Sequence, residues 1–233
     1  MMDQWRASRV TDRHQILTYL NTDRLYAAYA IGDLEPALYA QTAWAVAESG
    51  GTWRALALHY RGLEPPVLFV MGQPEGLRAI LESTLCPEQA YLTCRARHLP
   101  VLHALYDWDQ PSAMWRMVLQ CDRFSAVGGP CLRLGPAHAR PLAELYAHGG
   151  GAAFGAAQLE QGVFYGVLVE GRIVAVAGTH LVSEAYGVAA VGNVFTHPGY
   201  RSRGYASQAT SAVLAELIRR GIRDIVLNVN QAN

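Results

Sequence analysis

Residues 188–221 constrain the fold more tightly than any other part of this chain. Val188 to Thr196 is an apolar run of strand length, and Pro198 and Gly199 stop it. A helix is expected to begin near Gly204, because Ala206, Ala209, Val213 and Leu217 recur on one helical face. Arg219 and Arg220 fall in its last turn and Gly221 just past its end, as the helix dipole and a left-handed terminator require. Between strand and helix lies Thr196-His197-Pro198-Gly199-Tyr200-Arg201-Ser202-Arg203-Gly204-Tyr205-Ala206. Backbone N–H groups ahead of a helix lack partners, and the dipole adds positive charge there. Gly204 and Ala206 let phosphate oxygens approach the backbone closely, while Arg201 and Arg203 can add charge-assisted contacts. The loop has the parts of a pyrophosphate site. Taken alone, the hexapeptide R-x-x-G-x-A also describes an ordinary strand-to-helix connection.

The preceding segment sets the fold class. Cys131 to Leu134 reads as a short strand, and Pro136 to Ala147 as a helix with Leu142, Leu145 and Tyr146 on one face. Gly162 to Val169 and Arg172 to Thr179 are apolar strands joined by Glu170-Gly171, a two-residue hairpin connection. Ile222 to Val229 follows the long helix as the last strand. This order predicts an α/β domain with a mixed sheet.

Residues 1–125 repeat part of the pattern. Helices are expected over Asp12 to Leu20, Asp23 to Ile31 and Glu75 to Thr84, with a short one at Val101 to Tyr106. Trp53 to Tyr60 alternates as a half-buried strand does, and Val67 to Met71, Tyr91 to Cys94 and Trp115 to Leu119 are further strands. The polar stretch Asp122 to Pro130, ending Gly-Gly-Pro, is the expected boundary, giving domains 1–125 and 131–233.

Composition excludes several functions. The 19 basic residues, all arginine, balance 19 acidic ones, so no overall field favours nucleic acid or an anionic membrane. No apolar stretch is long enough to span a bilayer, and the cytoplasm is the expected location. Cys86, Cys94, Cys121 and Cys131 lack metal-site or redox spacing, so free thiols and no metal are expected.

The segment VGNVFTHPGYRSRGYASQATSAVLAELIRRG resembles the central motif of the GNAT N-acetyltransferase superfamily, with Arg201-Ser202-Arg203-Gly204-Tyr205-Ala206 as its signature. Leu227-x-Val229-x-x-x-Asn233 is similar to the family's next strand, which ends in an asparagine near the cofactor. The resemblance covers about residues 131–233. It implies a mixed, splayed sheet flanked by helices, with acetyl-CoA as co-substrate. The pantetheine arm would pair with Val194, Phe195 and Thr196, and the pyrophosphate would sit on Arg203 to Ala206, with Arg201, Ser202, Tyr205 and Asn233 completing the site. A strand N–H would polarise the thioester, and a primary amine, small or peptidic, would attack directly. The first half is expected to be a degenerate second copy of the same fold or another α/β domain. Its loop Gly72-Gln73-Pro74-Glu75-Gly76 has no arginine and carries an acid that repels phosphate.

The match is incomplete. The family continues past this point with a helix and two strands, so the chain is expected to be a fragment whose strand 222–229 stands as an exposed edge. No glutamate lies on Val188 to Thr196. His180, at the end of the preceding strand, is a candidate base by residue type and position, with a solvated or packed histidine as the alternative, and His197 is expected to be a local hydrogen-bonding residue. No catalytic residue is assigned. A CoA-binding sensor or interaction module without turnover, and transfer of a different acyl group, are the competing functions. A homodimer is the assembly considered, with no nucleic-acid or membrane partner.

Overall fold

The computed structural model of the chain describes residues 5–107, 111–151 and 154–232. It divides into two compact units, 1–112 and 113–233. The division falls ahead of the Asp122 to Pro130 stretch because the strand at 114–118 pairs into the second sheet.

The first unit contains β1 (Arg6–Val10), α1 (Arg13–Leu20), α2 (Ala28–Gly32), α3 (Pro36–Tyr39), β2 (Thr42–Ser49), β3 (Thr52–Tyr60), β4 (Val67–Gly72), α4 (Pro74–Ser83), β5 (Tyr91–Thr93) and α5 (Leu99–His103). Asp12 caps α1 by accepting from the His14 and Gln15 amides. The helix expected over Asp23 to Ile31 is interrupted. Thr22 Oγ1 donates to Tyr19 O and Arg24 donates to Asn21 Oδ1, local bonds that favour a turn over a continuing helix. The sheet runs β1-β2-β3-β4-β5, antiparallel except for the parallel β4–β5 pair. β3 is buried on both faces at its centre, Ala55–Leu58, not on one face as its alternation suggests. Helix α4 packs Leu77, Ile80 and Leu81 against Ala45, Ala47, Ala55 and Ala57.

The second unit contains β6 (Met114–Val118), β7 (Leu132–Leu134), α6 (Ala139–Tyr146), α7 (Gln158–Gln161), β8 (Phe164–Val169), β9 (Arg172–Ser183), β10 (Val188–Thr196), α8 (Tyr205–Arg219) and β11 (Asp224–Asn230). Its sheet runs β6-β11-β10-β9-β8-β7. From β7 to β11 the pairing repeats the first unit, with three antiparallel pairs and then the parallel β10–β11 pair. In both units a helix follows the fourth strand of this series, α4 after β4 and α8 after β10. The β8–β9 hairpin turns at Glu170 (φ 50°) and Gly171 (φ 76°), two positive-φ residues as a right-twisted two-residue hairpin demands.

Strand 222–229 is not an exposed edge. β6 pairs antiparallel with β11 from Val226↔Val118 to Asn230↔Met114, so the edge belongs to β6 instead. One face of the sheet carries α8, with Ala209, Val213 and Leu217 against Val167, Ala175, Ala177, Ala189 and Val191. Leu142, Leu145 and Tyr146 of α6 pack with Val176 and Phe195 in a second core. Burying Val213 and Leu217 contributes roughly 2 kcal/mol each. Among the described residues no helix is long and apolar enough to cross a membrane.

Candidate functional site

The parallel pairing of β10 with β11 is short. It runs from Val188↔Asp224 to Val191↔Leu227 and stops, although both strands continue for several residues. Beyond Val191 the two strands diverge, and among the described residues Gly192–Thr196 has no strand on its β11 side. That leaves an edge along which an extended amide-bearing ligand can add as a strand does.

Two irregularities shape this opening. On the β9 side the register jumps from Gly192↔Gly178 to Phe195↔Val176, so Asn193 and Val194 together oppose Ala177. This is a β-bulge. Asn193 sits at φ 53°, a left-handed conformation that costs a non-glycine residue roughly 1 kcal/mol or more. It is held from two helices. Tyr146 of α6 donates its hydroxyl to Asn193 O at 2.7 Å, and the Asn193 side-chain amide donates to Gln158 Oε1 of α7 at 3.1 Å. Burial drives the Tyr146 pKa well above its ordinary value, which keeps the phenol protonated and donating. Val194, next in sequence, is exposed at 39%.

The second irregularity lies on β9. Ala190 pairs Leu181 while Val191 pairs Thr179, which leaves His180 as the extra residue. Its ring lies over Gly192, where a Cβ would run into it, closest to Nε2.

Below the strand the loop turns toward α8. His197 N–H extends the ladder to Val174 O at 2.9 Å, and His197 Nδ1 accepts from the Gly199 amide at 3.1 Å. Ser202 (φ 62°) and Gly204 (φ 78°) both have positive φ. The Gly204 N-cap supplies no side-chain bond to the helix. The first helical bond runs from Gln208 N to Gly204 O, so the amides of Tyr205, Ala206 and Ser207 are the orphan donors of α8. Arg201 and Arg203 are exposed beside them, with Arg201 Nε donating to Thr196 O at 3.3 Å. Among the described residues Thr196 Oγ1 is buried without a hydrogen-bond partner, an uncommon state that a ligand donor or acceptor would relieve. A groove of about 360 Å³ adjoins the loop, lined by Phe124, Val127, Ala206, Ser207, Thr210 and Leu214 among others.

These features fit an extended ligand with an amide-bearing arm and a phosphate group. The arm has the open edge, and the phosphate has an uncapped helix start flanked by two guanidinium groups. Val194, Phe195, Thr196, Arg201, Ser202, Arg203, Gly204, Tyr205 and Ala206 all fall on this continuous stretch, whereas Asn233 lies outside the described residues. Phe195 differs from its neighbours in being largely buried, packed against Tyr146, so only its backbone can meet a ligand. Sequence reasoning missed the clamp of Tyr146 and Gln158 on Asn193. The one signal for it was a polar residue, Asn193, in an otherwise apolar strand.

The corresponding place in the first unit is closed. β4 pairs β5 only over 67–69 and then runs on to Gly72, but the buried His98 places Nε2 3.1 Å from Gly72 O. One residue, Gln73, separates β4 from α4, and its amide is committed to Arg54 O at 2.8 Å. Pro74 has no amide hydrogen to offer, and Glu75 puts negative charge in the first turn. Among the described residues this helix start offers no cradle for an anion.

Residues 134–233 match the model of a family described as Acetyltransferase (GNAT) family. No curated protein matches the chain. A Drosophila protein of solved structure is 15% identical, covering 99% of this chain and 91% of that one at a TM-score of 0.69. A tandem GNAT protein from the clavulanic acid biosynthesis pathway is 14% identical, with coverage of 99% and 91% and a TM-score of 0.55. A GCN5-related N-acetyltransferase from Sphaerobacter thermophilus is 16% identical, with coverage of 97% and 86% and a TM-score of 0.57. At such identities the likeness is one of fold, and it extends over both units.

Proposed function

From the premise that residues 134–233 are a GNAT acetyltransferase-family domain, in a chain whose two units both have the GNAT fold, we propose that the chain transfers an acetyl group from acetyl-CoA to a primary amine. The observation that carries this reading is the unpaired edge Gly192–Thr196 running directly into the uncapped, arginine-flanked start of α8. The pantetheine arm lies along Val194, Phe195 and Thr196. The pyrophosphate rests on the amides of Arg203 to Ala206, with Arg201 and Ser202 at its rim. The thioester carbonyl meets the Val194 N–H, whose direction is set by the bulge that Tyr146 and Gln158 hold.

Transfer then needs little covalent help from the protein. An amine seated beside the carbonyl attacks at high effective concentration, and the strand amide stabilises the charge that develops on oxygen. One site is proposed among the described residues, because the first unit's equivalent edge and loop are filled by its own groups.

Thiol release from acetyl-CoA is the test, read with a panel of glycine, glucosamine, spermidine and an alanyl peptide. Acetyl-CoA-dependent thiol release with at least one amine, absent without amine, is the expected outcome. Tight acetyl-CoA binding with no turnover on a broad amine set would replace this reading by that of a CoA-binding sensor.

A further inference from the structure

We propose that His180 is the general base of the transfer, accepting through Nε2 the proton that the acceptor ammonium must lose. The inference rests on the acetyl-transfer reading above and assigns a role that reading leaves open.

Three observations place this imidazole where a base is needed. His180 is the extra residue of the bulge on β9, which sets it off the ladder's regular alternation. Its ring lies across β10 at Gly192, and only a residue without a Cβ leaves room for it. Gly192 is the first residue of β10 past the end of the β11 pairing and immediately precedes the Asn193 bulge. The ring therefore crosses the strand at the vertex of the splay, two residues from the amide proposed to hold the thioester oxygen.

The surroundings suit a base. The elements packed on this face bring Tyr146 from α6, Gln158 from α7 and Asn193 from β10, while the carboxylates of Glu144 and Glu160 are turned to solvent. Burial lowers the His180 pKa, which favours the neutral ring that a base requires. Gly192 thus has a chemical purpose: a side chain there would push the base off the strand.

The proton count closes. The ammonium gives one proton to His180 Nε2, and the freed nitrogen lone pair forms the N–C bond while the C–S bond breaks with its electrons on sulfur. The second nitrogen proton passes to the thiolate, and the imidazolium returns its own to solvent. The products are an amide, a thiol and one proton.

His180→Gln tests the assignment, using the panel amine that the wild type turns over fastest. Acetyl-CoA affinity should stay within about twofold by calorimetry while kcat at pH 7 falls roughly 100-fold or more. The pH profile should also change. Wild-type kcat levels off above the His180 pKa, whereas the variant's rate keeps rising about tenfold per pH unit toward the amine's own pKa. Gly192→Ala keeps the histidine but displaces its ring, and it should reproduce both effects. A His180→Gln enzyme with kcat within threefold of wild type and the same profile overturns the proposal, as does loss of acetyl-CoA binding in that variant, which marks a structural role. Failure of the wild type to bind acetyl-CoA instead overturns the transfer reading itself.

Discussion

Gly204→Glu should weaken acetyl-CoA binding at least 100-fold while the protein stays folded. Two effects add at this position. Gly204 has φ 78°, where a side chain costs on the order of 1 kcal/mol. The larger effect is a carboxylate next to the amides of Tyr205, Ala206 and Ser207, where a phosphate would otherwise accept hydrogen bonds. Space around Gly204 is open, so no clash within the protein confuses the result. Gly204→Ala separates the two contributions. It carries the backbone strain without the charge and should lose roughly 1 kcal/mol of stability but far less affinity. Calorimetric titration of the three proteins with acetyl-CoA checks this, and equal affinity in Gly204→Glu would remove the loop from the site.

Glu216→Ala should destabilise the second unit by about 2–4 kcal/mol in urea unfolding. Glu216 is 7% exposed on α8 and gathers Arg133 of β7 at 3.0 Å, Tyr165 of β8 at 2.9 Å and Arg220 one turn on. The carboxylate thereby ties the helix that starts at the proposed cofactor site to the far strands of the sheet. Its removal leaves Arg133, which also donates to Leu134 O and Gly162 O, without its counter-charge. Burial pushes the Glu216 pKa up, but the Tyr165 hydroxyl and the two arginines outweigh it and the net shift is downward. The sign follows from linkage. With the folded pKa below the unfolded one, this contribution is fully present above the ordinary glutamate range and is lost as pH falls through the folded value. The gap between wild type and Glu216→Ala should accordingly narrow on acidification. A constant gap down to pH 3 would show that packing, not charge, dominates.

Much of the second unit was legible because its residues obey local rules. Val188–Thr196 is a strand with the bounds its apolar run predicts, and Glu170-Gly171 makes the turn that its glycine suggests. The helix after the loop begins one residue from the expected position. In the first unit the strand, tight loop and helix from Val67 to Ser83 were also visible. β1 was not, since Arg6–Val10 is mostly exposed and has no apolar pattern to read. Its partner β2, a continuous run from Thr42 buried on both faces at its centre, gives no alternation either. The covering of β11 by β6 was hidden for a different reason. Strand pairing over about a hundred residues of sequence leaves no local mark, and β6 keeps exposed Met114, Trp115, Met117 and Val118 on an edge.

The geometry of the candidate site was legible in part. The uncapped helix start at Arg201 to Ala206 could be read from its glycine and arginines, and Val194 to Thr196 entered as candidates through the resemblance that the motif carries. The bulges at Asn193 and His180 arise from register between β9 and β10, which neither strand's sequence states alone. The closure of the first unit by His98 likewise depends on a contact between positions 98 and 72.

The most direct test of the central claim is calorimetric titration of the wild-type chain with acetyl-CoA. One equivalent should bind per chain, with desulfo-CoA and free CoA competing for the same site, since the second unit offers an open edge and an amide cradle while the first has neither. No heat of binding, or two equivalents of similar affinity, would contradict it.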